Sequence, residues 1–372
     1  MKIIIIGPVY PWRGGIAHHS GLLAEHLAKR HEVELLTFSR QYPSFLFPGK
    51  SQFEETGQPP TIAAQQSIDS LNPLNWIRVG LALRRKSPAL IIFAYSLPFF
   101  GPCYGTIAAI ARRQAGVRTV FLCHNVIPHE RRPGDVLFTK YAFAFADRFI
   151  VQSDAVRQDL LRLRPNALSA MAHHPVFEVF GRPVAKHEAR RALGVSAART
   201  LLFFGYVRPY KGLSILLRAL RDLNDVHLIV AGEFYESEQK YLDQARDLKI
   251  IERIRFVNSY IPGNEVPLYF SAADAVVVPY LSATQSGIIQ LAYNFDRPVI
   301  ASDVGGLSEV VTDGETGRLV PPGDAEALAR VIKEYYVKNE EPRMTAAVSR
   351  RKADFSWDKL VAAVESLMDV SR

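Results

Sequence analysis

Short, uninterrupted apolar runs rich in Ile, Val, Leu and Phe alternate along the chain with longer segments whose apolar residues recur at helical spacing. The runs at 2–7, 33–38, 90–95, 119–124 and 149–152 read as strands of a first half. Those at 200–206, 226–231, 255–258, 275–278 and 298–302 read as strands of a second. Runs of this kind suit strands buried on both faces of a parallel sheet. Leu22, Leu23, Ala24 and Leu27 give residues 16–30 one apolar helical face. A charged, proline-containing stretch at 180–199 breaks the rhythm, which then restarts. The pattern predicts two doubly wound α/β domains joined near residue 180. Open α/β sheets bind ligands outside the carboxyl ends of their strands, so a cleft shared by the two domains is the expected site.

One stretch, residues 279–311, compresses strand end, turn, helix, strand and glycine turn into a single unit. After Pro279 come Ser282, Thr284, Gln285, Ser286 and Gly287, and then Ile288, Leu291, Ala292 and Phe295 at helical spacing. Hydroxyls and unpaired N–H groups at a helix N-terminus favour a phosphate. An ordinary crossover with a Ser/Thr cap fits the same residues. Gly305 and Gly306 close the next strand, where the backbone can approach a ligand.

The bulk composition narrows the classes. At 372 residues, 48% hydrophobic and 22% charged, the chain is globular and long enough for two domains. Cys103 and Cys123 lie inside apolar stretches, which suits reduced thiols in a cytoplasmic protein. The apolar start at 3–6 is broken by Gly7 and Pro8, too short for a signal sequence. Residues 97–111, closed by Arg112 and Arg113, fall short of the roughly 20 residues a membrane span needs. The net charge of +8 lies wholly in the first half, where residues 1–180 hold 20 Lys and Arg against 12 Asp and Glu. Basic runs such as 84–86, 112–113 and 131–132 fit an anionic membrane surface or a phosphate-bearing acceptor somewhat better than they fit solvated helix ends. Nucleic acid is a poorer partner, because no surface aromatics interleave these runs.

The candidate chemistry sits at strand ends. Gly14 and Gly15 follow the first strand and open a helix, a place for close backbone approach, though a double glycine is also an ordinary turn. In the segment 205–212, Arg208 and Lys211 stand where a strand becomes a helix. That is the unfavourable end of the helix dipole for cations unless they face an anion, which favours a diphosphate partner over a surface pair. His124 ends another strand and either contacts substrate or caps its loop, and Glu130 lies in the loop beyond. The ten histidines and two cysteines show no ligand-like spacing, and no Asp-x-Asp pair is present, so no metal is expected.

Taken together, these segments resemble a GT-B glycosyltransferase of glycosyltransferase family 4, the retaining, sugar-nucleotide-dependent class. The likeness runs over nearly the whole chain. It rests on the double glycine after the first strand, the strand-end His124, the G-x-x-R-x-x-K-G pattern at 205–212, PVIASDVGGLSEVV at 298–311, DGETGRLVPPGD at 313–324 and DFSW at 354–357. The strings GGI at 14–16 and HNVIPHE at 124–130 are similar to a bacterial subset acting in cell-surface polysaccharide or glycolipid assembly. The resemblance implies two Rossmann-like parallel-sheet domains facing across a cleft. Residues 1–178 would take the acceptor and 179–353 the nucleotide-sugar donor, and residues 354–372 would form a helix packing back on the first domain.

It also implies roles. Arg208 and Lys211 would clamp the donor diphosphate and stabilise charge growing on the leaving group. Gly15 would bring its N–H to the same phosphate, beside Gly14 and Gly205, and His124 would contact the transferred sugar. Tyr260 and Ile261 would lie beside the nucleobase, and Ser286, Gly287 and Ile288 would donate to the phosphates. Many members carry two glutamates near this last helix. Here Thr284 or Gln285 stands near the first place and Gln290 near the second, and an amide can still bond a ribose hydroxyl. Transfer in the class is thought to occur on one face, with the leaving phosphate taking the acceptor's proton, so no enzymic nucleophile is required. Glu130 is a carboxylate candidate for positioning the acceptor, or a solvated loop residue. Residues 39–60 and 97–113 would shape the acceptor side. The implied partners are a UDP- or GDP-sugar and a glycan or lipid-linked acceptor, with no metal or other cofactor. The missing glutamates keep a non-catalytic sugar-nucleotide or glycan-binding protein open, and a nicotinamide enzyme is disfavoured because GxGxxG is absent.

Overall fold

The computed structural model describes residues 1–43, 51–54, 60–128, 130 and 132–369. These fall into two compact units, Met1–Pro175 with Trp357–Arg372, and Val176–Ser356.

Among the described residues the first unit carries a seven-stranded sheet: β1 (Lys2–Ile6), β2 (Glu32–Arg40), β3 (Ala64–Asp69), β4 (Leu90–Tyr95), β5 (Arg118–Cys123), β6 (Arg148–Val151) and β7 (Ser169–Met171). Their order is β3-β2-β1-β4-β5-β6-β7, every pair parallel. Parallel neighbours need crossovers, supplied here by α1 (Gly15–Ala28), α2 (Pro73–Lys86), α3 (Gly101–Ala111), α4 (Asp135–Ala144) and α5 (Asp154–Leu163). Both faces of the sheet are covered. Ile4, Ile6, Phe93 and Phe121 enter one apolar cluster, and Ile3, Ile5, Ile92 and Leu122 enter another. The apolar stretch at 97–111 is mostly α3, whose Cys103, Tyr104, Ile107 and Ala108 are core residues. Both cysteines are free thiols buried in this unit.

The second unit holds a six-stranded parallel sheet: β8 (Arg199–Phe204), β9 (Val226–Ala231), β10 (Ile254–Val257), β11 (Ala275–Val278), β12 (Val299–Ser302) and β13 (Gly317–Val320). The order is β10-β9-β8-β11-β12-β13. Helices α6 (Lys186–Ala192), α7 (Leu213–Leu220), α8 (Glu238–Asp247), α9 (Val266–Ala272), α10 (Gly287–Asn294), α11 (Leu307–Val310), α12 (Ala325–Val337) and α13 (Glu341–Arg351) surround it. The last helix, α14 (Trp357–Asp369), lies in the first unit, where Trp357, Leu360, Val361 and Val364 join the cluster built on Ile3, Ile5 and Leu23.

Strands β3, β7 and β13 have no counterpart among the apolar runs of the sequence. Each is an edge strand; β3 is polar and partly exposed (AQQSID), and β7 (SAM) and β13 (GRLV) are only three and four residues long, too short to stand out as the apolar run of a central strand. The irregular stretch expected from residue 39 starts later, because β2 continues to Arg40, and its central residues lie outside those described.

Candidate functional site

In the second sheet, β8 and β11 are neighbours, yet the chain leaves β8 toward β9 on one side and β11 toward β12 on the other. Reversal of this kind opens a crevice at the carboxyl ends of the two strands. The loops that follow them touch directly there: Leu281 N–H donates to the Tyr210 carbonyl at 2.7 Å. Gly212 has φ 70°, and a Cβ on it would stand 2.0 Å from the Pro279 carbonyl oxygen, so this crossing requires glycine.

Two cations come to this place. Lys211 ends a single 3₁₀ turn (Pro209–Lys211) and is 8% exposed, its ammonium 5.6 Å from the Tyr280 ring centroid. Its ammonium is also near Gly205 and Ile288, for a Cβ placed on Gly205 would meet Lys211 Nζ at 3.4 Å and Ile288 Cδ1 at 3.1 Å. Burial, and then the Arg208 charge, lower the Lys211 ammonium to about 7. Arg208 is half-buried in extended backbone, its guanidinium 5.2 Å from the Tyr235 ring centroid. Two mutually repelling cations, one of them desolvated, form a site that a polyanion relieves.

Across the crevice, α10 begins at Gly287 with Ser286 as its N-cap, but the Ser286 side chain makes no capping bond. The expected Ser/Thr cap is therefore not formed, and the first N–H groups of the helix are left to other partners. Gln290 on α10 is 1% exposed, and its Oε1 accepts no hydrogen bond among the described residues. Thr284 and Ser286 are buried, whereas Gln285, Gly287 and Ile288 are half-buried. Gly305 departs from expectation. At φ 55° a Cβ there would lie 1.6 Å from the Ala283 carbonyl oxygen, so this glycine permits contact between two backbones. It holds the turn after β12 against the loop that precedes α10. Tyr260 and Ile261 follow β10, at the sheet edge and two strands away from β8, with Tyr260 half-buried and Ile261 buried.

The first unit has its own reversal point, between β1 and β4. Gly14 is the N-cap of α1, accepting N–H bonds from Ala17 and His18 at 3.0 and 3.3 Å, and Gly15 is exposed as its first residue. His124 directly follows β5, and its N–H donates to the Tyr95 carbonyl at 2.8 Å. Its ring is 2% exposed, in a buried cluster that the sequence did not reveal. His19 meets His124 edge-on at 4.7 Å and His174 at 4.9 Å, and Gln152 Nε2 is 3.0 Å from His19 Nε2. Desolvation lowers all three imidazoles, His124 to about 3, His174 to about 4 and His19 well below its ordinary value. They are neutral near pH 7, so their ring nitrogens offer hydrogen bonds and no charge. Glu130 is an exposed residue of the loop before α4.

Two family models match the chain, Glycosyl transferase 4-like domain over residues 14–171 and Glycosyl transferases group 1 over residues 198–337. The chain belongs to the group 1 glycosyl transferases. This group 1 chain is 33% identical over 228 residues to the D-inositol 3-phosphate glycosyltransferase of Mycolicibacterium gilvum, covering 59% of this chain and 51% of the relative. It is 30% identical over 244 residues to the enzyme of the same name from Corynebacterium diphtheriae, covering 60% and 56%. The chain thus spans about half the length of the curated relatives it matches. Among solved structures, sucrose-phosphate synthase from Thermosynechococcus elongatus superposes with TM-score 0.76 at 22% identity, covering 99% of this chain and 98% of that one. HepE from Anabaena, in complex with UDP and glucose, superposes with TM-score 0.77 at 20% identity over the whole of both chains. The fold is GT-B, the architecture expected from the family motifs.

Proposed function

We propose that this chain is a retaining, metal-independent glycosyltransferase that moves a sugar from a UDP- or GDP-sugar to a glycan or lipid-linked acceptor in cell-surface polysaccharide or glycolipid synthesis. The carrying observation is the pair Arg208 and Lys211 at the reversal point of the second sheet, with Lys211 buried close to Ile288 of α10. Fixed cations stabilise a diphosphate most as negative charge grows on it, the task a metal ion performs elsewhere. The unsatisfied Gln290 carbonyl oxygen suits a ribose hydroxyl, which would donate to it. A neighbour in fold adds support, since HepE has been seen with UDP and with UDP-glucose. In the first unit, Gly15 would approach the phosphate, the neutral His124 the sugar and Glu130 the acceptor. A screen of UDP-, GDP- and ADP-sugars by thermal shift and donor hydrolysis tests the reading, with and without EDTA. One nucleotide should stabilise the protein, EDTA should change nothing, and Arg208→Ala/Lys211→Ala should abolish the shift. Binding without hydrolysis or transfer to any glycan, polyprenyl or inositol phosphate acceptor would mark a non-catalytic binding protein instead.

The acceptor side of the proposal extends to an anionic membrane. Helix α2 has no acidic residue, and it exposes Leu74, Ile77 and Leu81 beside the exposed Arg78, Arg84 and Arg85. Helix α4 exposes Val136, Leu137 and Phe138 beside Lys140, and both helices pack on α3. Exposed apolar side chains set among cations suit the boundary between headgroups and acyl chains, and the described residues include no helix long and apolar enough to cross a membrane. Sedimentation with vesicles should show binding to phosphatidylglycerol, none to phosphatidylcholine, and about tenfold loss in Leu74→Asp/Leu137→Asp. Equal binding to both lipids, or to neither, would sink this part of the proposal.

A further inference from the structure

Each of the two site cations rests on an aromatic ring: Arg208 on Tyr235 and Lys211 on Tyr280. Tyr235 comes from the segment after β9, and the backbone holds it in place. Val207 N–H donates to the Glu233 carbonyl at 2.9 Å, and Tyr235 N–H donates to the Val207 carbonyl at 3.1 Å. These bonds, with the parallel bridge between Val207 and Phe234, carry the pairing of β8 and β9 past the ends of both strands. Tyr206, from the β8 side, packs its ring on Tyr235 at a centroid distance of 4.6 Å. The Tyr235 ring therefore packs on Tyr206 and faces the Arg208 guanidinium, on backbone tied to β8 by these bonds.

An arginine side chain has many rotamers, and a ligand that must order it binds more weakly for that reason. Both a carboxylate and a ring face can hold a guanidinium beforehand. A carboxylate occupies the N–H donors themselves, whereas a ring engages the flat face of the guanidinium and does not itself take up the in-plane donors. We infer that Tyr235 is a positioning residue of the diphosphate site: its ring holds the Arg208 guanidinium where a nucleoside diphosphate binds, and Tyr206 braces that ring. This rests on the clamp reading of Arg208 and Lys211 and adds two residues to it, one of them from outside the β8 loop.

The test titrates UDP and GDP separately, by calorimetry, into the full chain and its Tyr235→Phe, Tyr235→Leu, Tyr206→Leu, Arg208→Ala and Arg208→Ala/Tyr235→Leu variants, with the unfolding temperature of each recorded. Tyr235→Leu should weaken the nucleotide that binds by about threefold to thirtyfold, and Tyr235→Phe, which keeps the ring face, should stay within about twofold of wild type. Tyr206→Leu removes the brace alone and should cost a smaller factor, which keeps the question answerable if Tyr235→Leu does not fold. The double variant should bind no worse than Arg208→Ala, since a residue acting only through Arg208 then has nothing left to position. Wild-type affinity in Tyr235→Leu or, where that variant does not fold, in Tyr206→Leu, beside a weakened Arg208→Ala, overturns the inference and leaves the clamp standing. Losses that add in the double variant overturn it as well, because Tyr235 would then act without Arg208. If Arg208→Ala binds like wild type, or the wild type binds neither nucleotide, the clamp itself falls and the inference with it.

Discussion

Lys211 is the residue at which stability and binding pull apart. Its ammonium is lowered from 10.5 in the unfolded chain to about 7 in the fold by burial and by Arg208. Between those two values the unfolded chain carries a proton that the folded chain lacks, so folding stability rises with pH through this window and is lost as pH falls back toward 7. Lys211→Met removes that cost and should stabilise the unliganded protein by about 0.5–2 kcal/mol at pH 7 in denaturant unfolding, while abolishing nucleotide binding. A bound diphosphate restores the charge. At pH 8.5 nucleotide binding should therefore be accompanied by proton uptake, read by calorimetry in buffers of different ionisation enthalpy. The awkward placing of two cations where a strand becomes a helix was legible from the order of residues. Their rings were not, for Tyr235 and Tyr280 are distant in sequence and reach the cations only because β8, β9 and β11 are neighbours.

Among the elements, the turn after β12 shows how a motif is read differently once it has folded. Gly305 and Gly306 invite the idea of a ligand approaching the backbone, and the approaching group is the Ala283 carbonyl. Gly305→Ala would place a Cβ 1.6 Å from that oxygen at a positive φ, and nothing in the backbone can yield cheaply. It should destabilise the second unit by roughly 3 kcal/mol or more in chemical unfolding, and should weaken nucleotide binding through the displaced start of α10. Near-wild-type stability would mean the turn has room to relax. Central strands were evident as apolar runs because both of their faces are buried. The edge strands β3, β7 and β13 are polar or only three or four residues long and carried no such signal.

For the whole molecule, the chain's return to its first unit is the organising fact. Trp357 is 1% exposed and sits 5.1 Å from His19, and α14 covers the face of the first sheet that presents Ile3 and Ile5. Trp357→Ala should cost about 3–5 kcal/mol. In a calorimetric scan it should lower the transition of the first unit and leave that of the second in place, since each unit has its own core. A single transition that shifts as one would show the two cores to be thermodynamically inseparable.

By itself the sequence determined the repeated α/β rhythm and the family motifs with their cations and glycines. These are properties of local burial and backbone freedom, which successive residues record directly. Tertiary structure alone decided which strands lie at the reversal points, why Gly305 must be glycine, that His19, His124 and His174 share one buried cluster, and that Tyr235 lies under Arg208. Contacts of this second kind depend on strand order and on crossovers that bring distant segments together, and no local pattern of residues encodes that order.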